Sequence, residues 1–329
     1  MKKMFMVIAV VLILLPGVFT FGAEKVYDRA ALENYIDRYL DAMKDNNPSL
    51  DLFTRDCKFT ENGAQLPLGG EGLWYSMSGR ANYNFYVPDI ETRQIAYIGT
   101  VKEEGARTRN GQPAKETVAA VSIRLKINDD GKICEAEQLV MRPEISLSQA
   151  EPSASPSTGD LIDKMGKPHP IYMEAIPEKE RMSREELIKV ADYYFEGLQR
   201  NDGKGYYPFT DDCVRFENGR DVLLNIDRET GEQTRTSCKK QFEEQLKGIV
   251  SRIRDRRYVA VDRERGIVFA FGFFDHVQIN WTWEISELFK IENGLIRRIE
   301  AAFLRGPYGM NSGWSTYEQT RSEEIQDIR

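Results

Sequence analysis

The chain has 329 residues, 41% of them hydrophobic and 29% charged, with a formal net charge of −7. At about 150 residues per domain this length fits two domains, each able to bury its own core. An acidic balance excludes an electrostatic footprint for nucleic acid, and the densest basic stretch, SRIRDRR at 251–257, is interrupted by Asp255 and alternates like a solvated strand face.

At the N-terminus, Lys2 and Lys3 precede an apolar run from Met4 to Leu15, Pro16 breaks it, and small residues follow in TFGA at 20–23. This is the order of a secretory signal, and a run of about twelve residues falls short of the roughly 20 that a spanning helix needs. Residues 1–22 are therefore expected to be a cleaved signal, an uncleaved anchor being the alternative. The mature chain would be secreted or periplasmic, with no membrane attachment. Its charge would be −9, from 43 basic and 52 acidic residues.

An amphipathic helix follows, with Leu32, Tyr35, Ile36, Tyr39, Leu40 and Met43 forming a stripe of period 3.6. After it comes FTRDCKFTENG, from Phe53 to Gly63. The segments 90–101 and 116–127 are strand-like, and KINDDGKICEAEQLV at 126–140 reads as a hairpin. These elements make a first domain over 26–143. A Pro-rich linker or strap spans 144–182, with AEPSASPSTGD at 150–160 and the more apolar KPHPIYMEAIP at 167–177.

The pattern then recurs. Leu187, Val190, Ala191, Tyr194, Phe195 and Leu198 form a second stripe, started by a capping box of Ser183 and Glu186. FTDDCVRFENG, from Phe209 to Gly219, repeats seven of the eleven residues of the earlier phrase. Strands are predicted over 256–262, 266–277 and 281–291, and KIENGLIRRIEAAFL at 290–304 matches the first hairpin. Aligning Gly131 with Gly294 puts Glu137 opposite Glu300 and Arg142 opposite Arg305. A second domain thus covers 183–314, leaving a polar tail at 315–329.

LDLFTRDCKFTENG and YYPFTDDCVRFENG, each between a long helix and a closing KINDDGKI or KIENGLI hairpin, resemble the NTF2-like superfamily, which includes SnoaL-like and ketosteroid-isomerase-like proteins. The resemblance covers about 110–120 residues of each half. It implies an α+β fold of two NTF2-like (cystatin-like) cone domains, each with N-terminal helices packed on a strongly curved mixed β-sheet. It also implies an apolar pocket, cofactor-independent chemistry and pairing of sheets through their outer faces. FAFGFFDHV at 269–277 is apolar on both faces, as a strand covered on both sides would be. The halves could thus form an internal pseudo-dimer, with a homodimer a further option. The alternative is a strand buried between its own helices and an edge loop.

Candidate chemistry concentrates in the second half. His276 closes a very apolar strand after Asp275, and only one of these neighbours can face a given cavity. A His near pKa 6.5 suits proton transfer. His169, between Pro168 and Pro170, reads as a linker residue. Glu217, retained as Glu61 in the first half, is either a pocket carboxylate or an acid fixing the Asn-Gly turn. Arg215 stands where the first half has Phe59, and would pair with Glu217 or meet an anionic ligand. His276, Glu217 and Asp275 are thus the catalytic candidates. Arg215, Tyr194, Trp281, Trp283 and Trp74 are candidates for contact with an apolar or polycyclic small molecule, the aromatics having core packing as their ordinary alternative.

Four cysteines in an exported chain suggest two disulfides, Cys213–Cys238 and Cys57–Cys134, against the alternative of buried free thiols. No cysteine or histidine cluster has zinc spacing, so neither metal nor cofactor is expected. Two functions follow. One is an exported, cofactor-independent isomerase, dehydratase or hydrolase working by proton transfer in the second domain. The other is a non-catalytic ligand-binding or assembly module.

Overall fold

The computed structural model describes residues 27–104, 115–143 and 156–315, apart from 201, 228 and 247. The expected signal at 1–22, part of the linker and nearly all of the tail lie outside the described residues.

The first half opens with α1 (Arg29–Lys44), capped by the Asp28 side chain accepting from the Ala31 amide. All six residues of its apolar stripe are buried. Then follow β1 (Phe53–Glu61), β2 (Ala64–Gln65), the short α2 (Leu73–Ser76), β3 (Met77–Asp89), β4 (Gln94–Glu103), β5 (Thr117–Ile127) and β6 (Ile133–Met141). The segment at 90–101 is not one strand: 90–93 form the turn between β3 and β4, with Arg93 at φ 54°. β3 itself was not legible, because SGRANYN interrupts its apolar alternation. Across the linker lies α3 (Thr158–Met165). The second half has α4 (Arg184–Arg200), β7 (Phe209–Glu217), β8 (Arg220–Asp221) and the small hairpin β9 (Leu224–Ile226)–β10 (Gln233–Arg235). It continues with α5 (Cys238–Lys240), extended by a wider turn over Gln241–Gln245, then β11 (Arg252–Asp262), β12 (Ile267–His276), β13 (Trp281–Glu292) and β14 (Leu295–Pro307).

The two sheets share one topology, β2-β1-β6-β5-β4-β3 and β11-β12-β13-β14-β7-β8. In each, the repeated-phrase strand runs parallel to the closing strand of the final hairpin, and the other pairs are antiparallel. Register shifts bend the equivalent strand pair in each half, between Arg80 and Asn84 and between Arg254 and Arg257. The result is an α+β pair of domains, each a helix laid on a curved mixed sheet, as the NTF2-like resemblance implies.

The recurrence of the phrase has a local cause. Asn62-Gly63 and Asn218-Gly219 all have positive φ, from 48° to 78°, which a tight primed turn requires. Each Asn side chain then pins the neighbouring parallel strand. Asn62 Oδ1 accepts from the Val140 amide at 2.7 Å, and Asn218 Oδ1 from the Phe303 amide at 2.9 Å.

One face of each sheet meets its own helix; the other faces meet each other. Phe85, Ile98, Leu139 and Met141 of the first half pack with Val259, Phe269, Phe271 and Leu288 of the second. This accounts for the strand at 269–277: Val268, Ala270 and Phe274 enter the helix-covered core while Phe269 and Phe271 enter the interface. Ser122 and Ser286 occupy the same position in β5 and β13, and their hydroxyls meet at 2.7 Å. Equivalent residues touch in this way only near a pseudo-two-fold axis. Arg257 donates to both oxygens of buried Glu137, at 2.7 and 2.8 Å. The pseudo-equivalent Glu300 accepts from Tyr83 at 3.4 Å.

The strap reinforces this contact. Asp163 of α3 accepts from the Asn82 amide at 2.7 Å and Thr100 Oγ1 at 2.6 Å, and Tyr172 is buried against Phe85. The end of the second half crosses back: Trp314 donates to Thr60 Oγ1 at 2.8 Å, with Lys58 and Arg124 over its ring at 4.2 and 4.4 Å.

The two expected disulfides are not formed in this structure, where all four cysteines are free thiols. The expected pairs are nonetheless neighbours. The Cys238 thiol, together with burial, pushes the Cys213 thiol far up, and burial followed by the charge of Cys134 pushes Cys57 up to about 12.

Candidate functional site

The two helix-covered interiors differ in what their polar groups do. In the first, Trp74 Nε1 donates to Tyr39 OH at 3.2 Å, Tyr39 donates to Gln138 Oε1 at 3.0 Å, and Gln138 Nε2 donates to Glu61 Oε2 at 2.8 Å. Glu61 also accepts from the Leu73 amide at 2.8 Å and pairs with Arg142 at 2.8 Å. Every group in this string has a partner. Trp74 fills the space between them, edge-on to Tyr39 and Phe53 with centroids 5.5 and 5.7 Å away.

The second interior is built at the same positions but with different hydrogen-bond partners. Tyr194 of α4 replaces Tyr39, and its hydroxyl accepts from Arg215 Nε at 3.1 Å. Arg215, where β1 has Phe59, is buried; its other nitrogens reach Gln241 Oε1 at 3.0 Å and Glu217. Burial works against the guanidinium charge, but Tyr194, Glu217 and Glu287 outweigh it and hold Arg215 firmly protonated. Phe242 packs on Tyr194 at 5.0 Å.

Facing this group from β13 is Glu287. It shares its strand face with Ile285, Phe289 and Ile291 and is 0% exposed. Neither of its oxygens meets a donor in full hydrogen-bond geometry, the Tyr194 hydroxyl making only a weak contact. Burial raises its pKa; Arg215 and Tyr194 pull it down but do not prevail, and it stands at about 8. Its cross-strand neighbours are Ala270 and Ala301, and Ala301 lies opposite Glu217, so Glu217, Ala301, Glu287 and Ala270 make one row across the sheet. The small alanines leave Glu287 without a bulky neighbour in that row.

His276 and Asp275 do not join this group. His276 lies six residues along β12 from the Ala270 row, about 20 Å at strand spacing. It is 2% exposed, its Nδ1 is 2.7 Å from the Ile249 carbonyl, and its Nε2 is unpartnered. Burial lowers its pKa, against the Ile249 hydrogen bond and the charge of Asp275. Asp275 points to the opposite face and is fully engaged by Arg252 (2.5 and 2.9 Å), Arg254 (2.8 and 3.2 Å) and Thr282 (2.6 Å). Burial alone would raise its pKa, but these hydrogen bonds carry it below the usual carboxylate range. Trp283 stacks on Phe303 at 4.7 Å and lies tilted against His276 at 4.3 Å, and Trp281 lies under Arg305 at 3.9 Å.

Arg215, Glu217 and Tyr194 are thus brought together. His276 with Trp281 and Trp283 forms a separate corner, and Trp74 belongs to the other half. Glu287 escaped the sequence reading because SELFKI reads as an ordinary strand. A signal was present: aligning Lys126-Ile127 with Lys290-Ile291 sets Glu287 opposite buried Ile123. A surface cleft of about 380 Å³, lined by Tyr193, Gly197, Arg200, Gly205 and Tyr206, lies on the outer side of α4. Among the described residues, no group of three or more His, Cys, Asp or Glu could hold a metal ion.

The fold and this interior define a tandem of two helix-on-sheet domains in which one copy carries buried charge. Residues 25–140 and 180–303 each match the model of a family described as a domain of unknown function, DUF8021, and the chain belongs to that family. No curated protein matches the chain by sequence. Among solved structures, it is similar to a putative polyketide cyclase from Xanthomonas campestris pv. campestris, at 15% identity over 34% of this chain and 90% of that one, with a TM-score of 0.29. An NTF-2 like protein of unknown function from Burkholderia xenovorans LB400 aligns at 11% identity over 40% of this chain and 94% of that one, TM-score 0.27. A de novo designed protein with a curved β-sheet aligns at 19% identity over 37% and 88%, TM-score 0.26.

Proposed function

We propose that this chain handles a small, largely apolar molecule in the interior of its second domain, and that Glu287 exchanges a proton with it. The observation that carries this reading is a fully buried carboxyl that no donor meets in full hydrogen-bond geometry, at a position where the sister domain has isoleucine. An acid with a pKa of about 8 is mostly protonated at neutral pH, yet near enough to ambient pH to give and regain a proton. Arg215 supplies fixed positive charge beside it, suited to an oxyanion that forms as the proton moves. Phe195, Phe209, Phe242 and Phe289 make the walls apolar. This is isomerase, dehydratase or hydrolase chemistry by proton transfer, with no step that calls for a cofactor.

The non-catalytic reading fits the first domain, where the string from Trp74 to Arg142 leaves no polar group unpartnered. That domain serves as scaffold. The reading includes export with loss of residues 1–22, after which an oxidising compartment would close the adjacent pairs Cys213–Cys238 and Cys57–Cys134.

The test is to purify the mature chain natively, denature it and identify released small molecules by mass spectrometry, alongside Glu287→Gln. The expected result is a ligand held by the wild type and lost or chemically altered in the variant. A wild type that carries nothing, or a variant that retains the same ligand unchanged, would contradict the reading.

A further inference from the structure

The cleft of about 380 Å³ on the outer side of α4 takes no part in the chemistry above. Tyr193, Glu196, Gly197 and Arg200 stand at i, i+3, i+4 and i+7 and make one stripe of that helix. Glycine is, after proline, the residue least suited to a helix interior, and the first helix has Ala42 at this place. Close contact explains it. A Cβ on Gly197 would come within 2.6 Å of the Tyr207 ring, and one on Gly205 within 3.0 Å of the Gly197 Cα. The two glycines let the loop after α4 lie directly on the helix. Tyr206 is thereby set edge-on to Tyr193, with centroids 5.0 Å apart and ring planes at 85°. Tyr206 is nonetheless 62% exposed, so its ring fills no core. The first half has Arg38, Asp41 and Ala42 where the second has Tyr193, Glu196 and Gly197, so the fold does not itself call for this tyrosine corner.

The polar groups of the cleft are planar, and two are held in place. Gln199 Oε1 accepts from the Ile253 amide at 2.8 Å, which leaves its Nε2 hydrogens to donate. Arg200 Nε donates to both oxygens of Asp202, at 2.9 and 3.0 Å, which leaves its terminal nitrogens to donate. Glu196 presents an exposed carboxylate with no ion pair among the described residues. The cleft thus offers aromatic faces, fixed donors and one acceptor together.

We propose that this cleft binds a neutral sugar ring, as the end unit of a glycan presents it. The volume lies in the range of small-molecule sites and has room for such a ring. A pyranose has a C–H face that packs on an aromatic ring and rim hydroxyls that each donate and accept. It can lie on one tyrosine with its edge against the other, donate to Glu196, and accept from Gln199 and Arg200. Other ligand classes leave a group opposed or unmet. An anion would face the Glu196 carboxylate. A cation would face Arg200 and also Lys189, whose ammonium already lies over the Tyr193 ring at 5.9 Å. A proline-rich segment would stack on the rings but has no N–H to give Glu196. The cleft is on the side of α4 away from Tyr194 and Phe195, which enter the core, so the proposal does not rest on the role of Glu287.

The test is saturation-transfer NMR on the full chain with the methyl glycosides of glucose, galactose, mannose and N-acetylglucosamine, followed by titration of those that bind. At least one glycoside is expected to bind, with saturation strongest on the C–H protons of one ring face. Tyr206→Ala is expected to weaken it about tenfold, whereas Tyr206→Phe, which keeps the ring, is expected to retain it. Glu196→Ala is expected to cost about tenfold as well, the worth of a hydrogen bond to a charged acceptor. Both side chains are exposed, and thermal melts of the variants establish that the fold is kept. No binding by any of the four glycosides, or binding that survives Tyr206→Ala, would overturn the proposal. Binding of a polyproline peptide that depends on Tyr206, with no glycoside bound, would assign the cleft to peptide and overturn it too.

Discussion

Replacing Glu287 by glutamine should change how stability depends on pH. An acid whose folded-state pKa is raised holds its proton more tightly folded than unfolded. Below its unfolded pKa the group has no effect on folding. Stability is then lost as pH rises, and the loss levels off above the folded pKa, here about 8 against an ordinary 4.5. At 1.36 kcal/mol per pKa unit, the penalty reaches roughly 3 kcal/mol at pH 7 and grows by about 3–4 kcal/mol between pH 5 and pH 8. Glu287→Gln removes that slope. Glu284, at the interface and also pushed to about 8 by burial and the charge of Glu137, contributes equally to both proteins and cancels. The assay is denaturant unfolding of wild type and variant at several pH values from 5 to 9. The wild type should lose about 4 kcal/mol relative to the variant across that window. Parallel profiles would mean that Glu287 titrates as it does unfolded, and would refute the argument.

Other outcomes follow from the interface and the turns. Glu137→Gln takes the two-pronged carboxylate from buried Arg257, which keeps only Asp255 at 3.2 Å, and should cost about 3 kcal/mol, read by chemical denaturation. Gly219→Ala meets both a φ of +78° and a Cβ contact of 2.7 Å with Leu161, whereas Gly294→Ala meets nothing within 4 Å at a similar φ. Gly219→Ala should therefore be the more destabilising, by more than the roughly 1 kcal/mol of backbone strain that the two share. In the reduced protein, Cys57, with its thiol pushed up to about 12, should react slowly with alkylating reagents at pH 8. After mild oxidation, peptide mapping should find Cys213–Cys238 and Cys57–Cys134; any bridge between the halves would contradict the observed neighbours.

The fold was legible because it was written twice. Two stripes of period 3.6, two copies of an Asn-Gly phrase and two closing hairpins gave the helix-then-sheet order of each half, and the structure shows why Asn62 and Asn218 recur: each bonds the backbone of the parallel strand beside it. β3 was hidden because its first half runs through polar residues along the bent edge. The site was less legible for a different reason. Arg215 declared itself as a charge where the sister domain has Phe59, and its pairing with Glu217 followed from their two-residue spacing. Glu287 was concealed in an ordinary strand, and only comparison with Ile123 shows that an acid has entered a core position. His276 stood out as one of two histidines, yet its distance from Glu217 depends on which strand end it occupies. That is set by register, not by residue type.

The central claim is that the second domain keeps a protonated carboxylic acid in its interior at neutral pH. Its most direct test is infrared difference spectroscopy of wild type minus Glu287→Gln, followed through a pH titration. A protonated-carboxyl carbonyl band is expected at pH 7, absent from the variant and giving way to carboxylate with a midpoint near 8. A difference spectrum showing only carboxylate at pH 7 would contradict it.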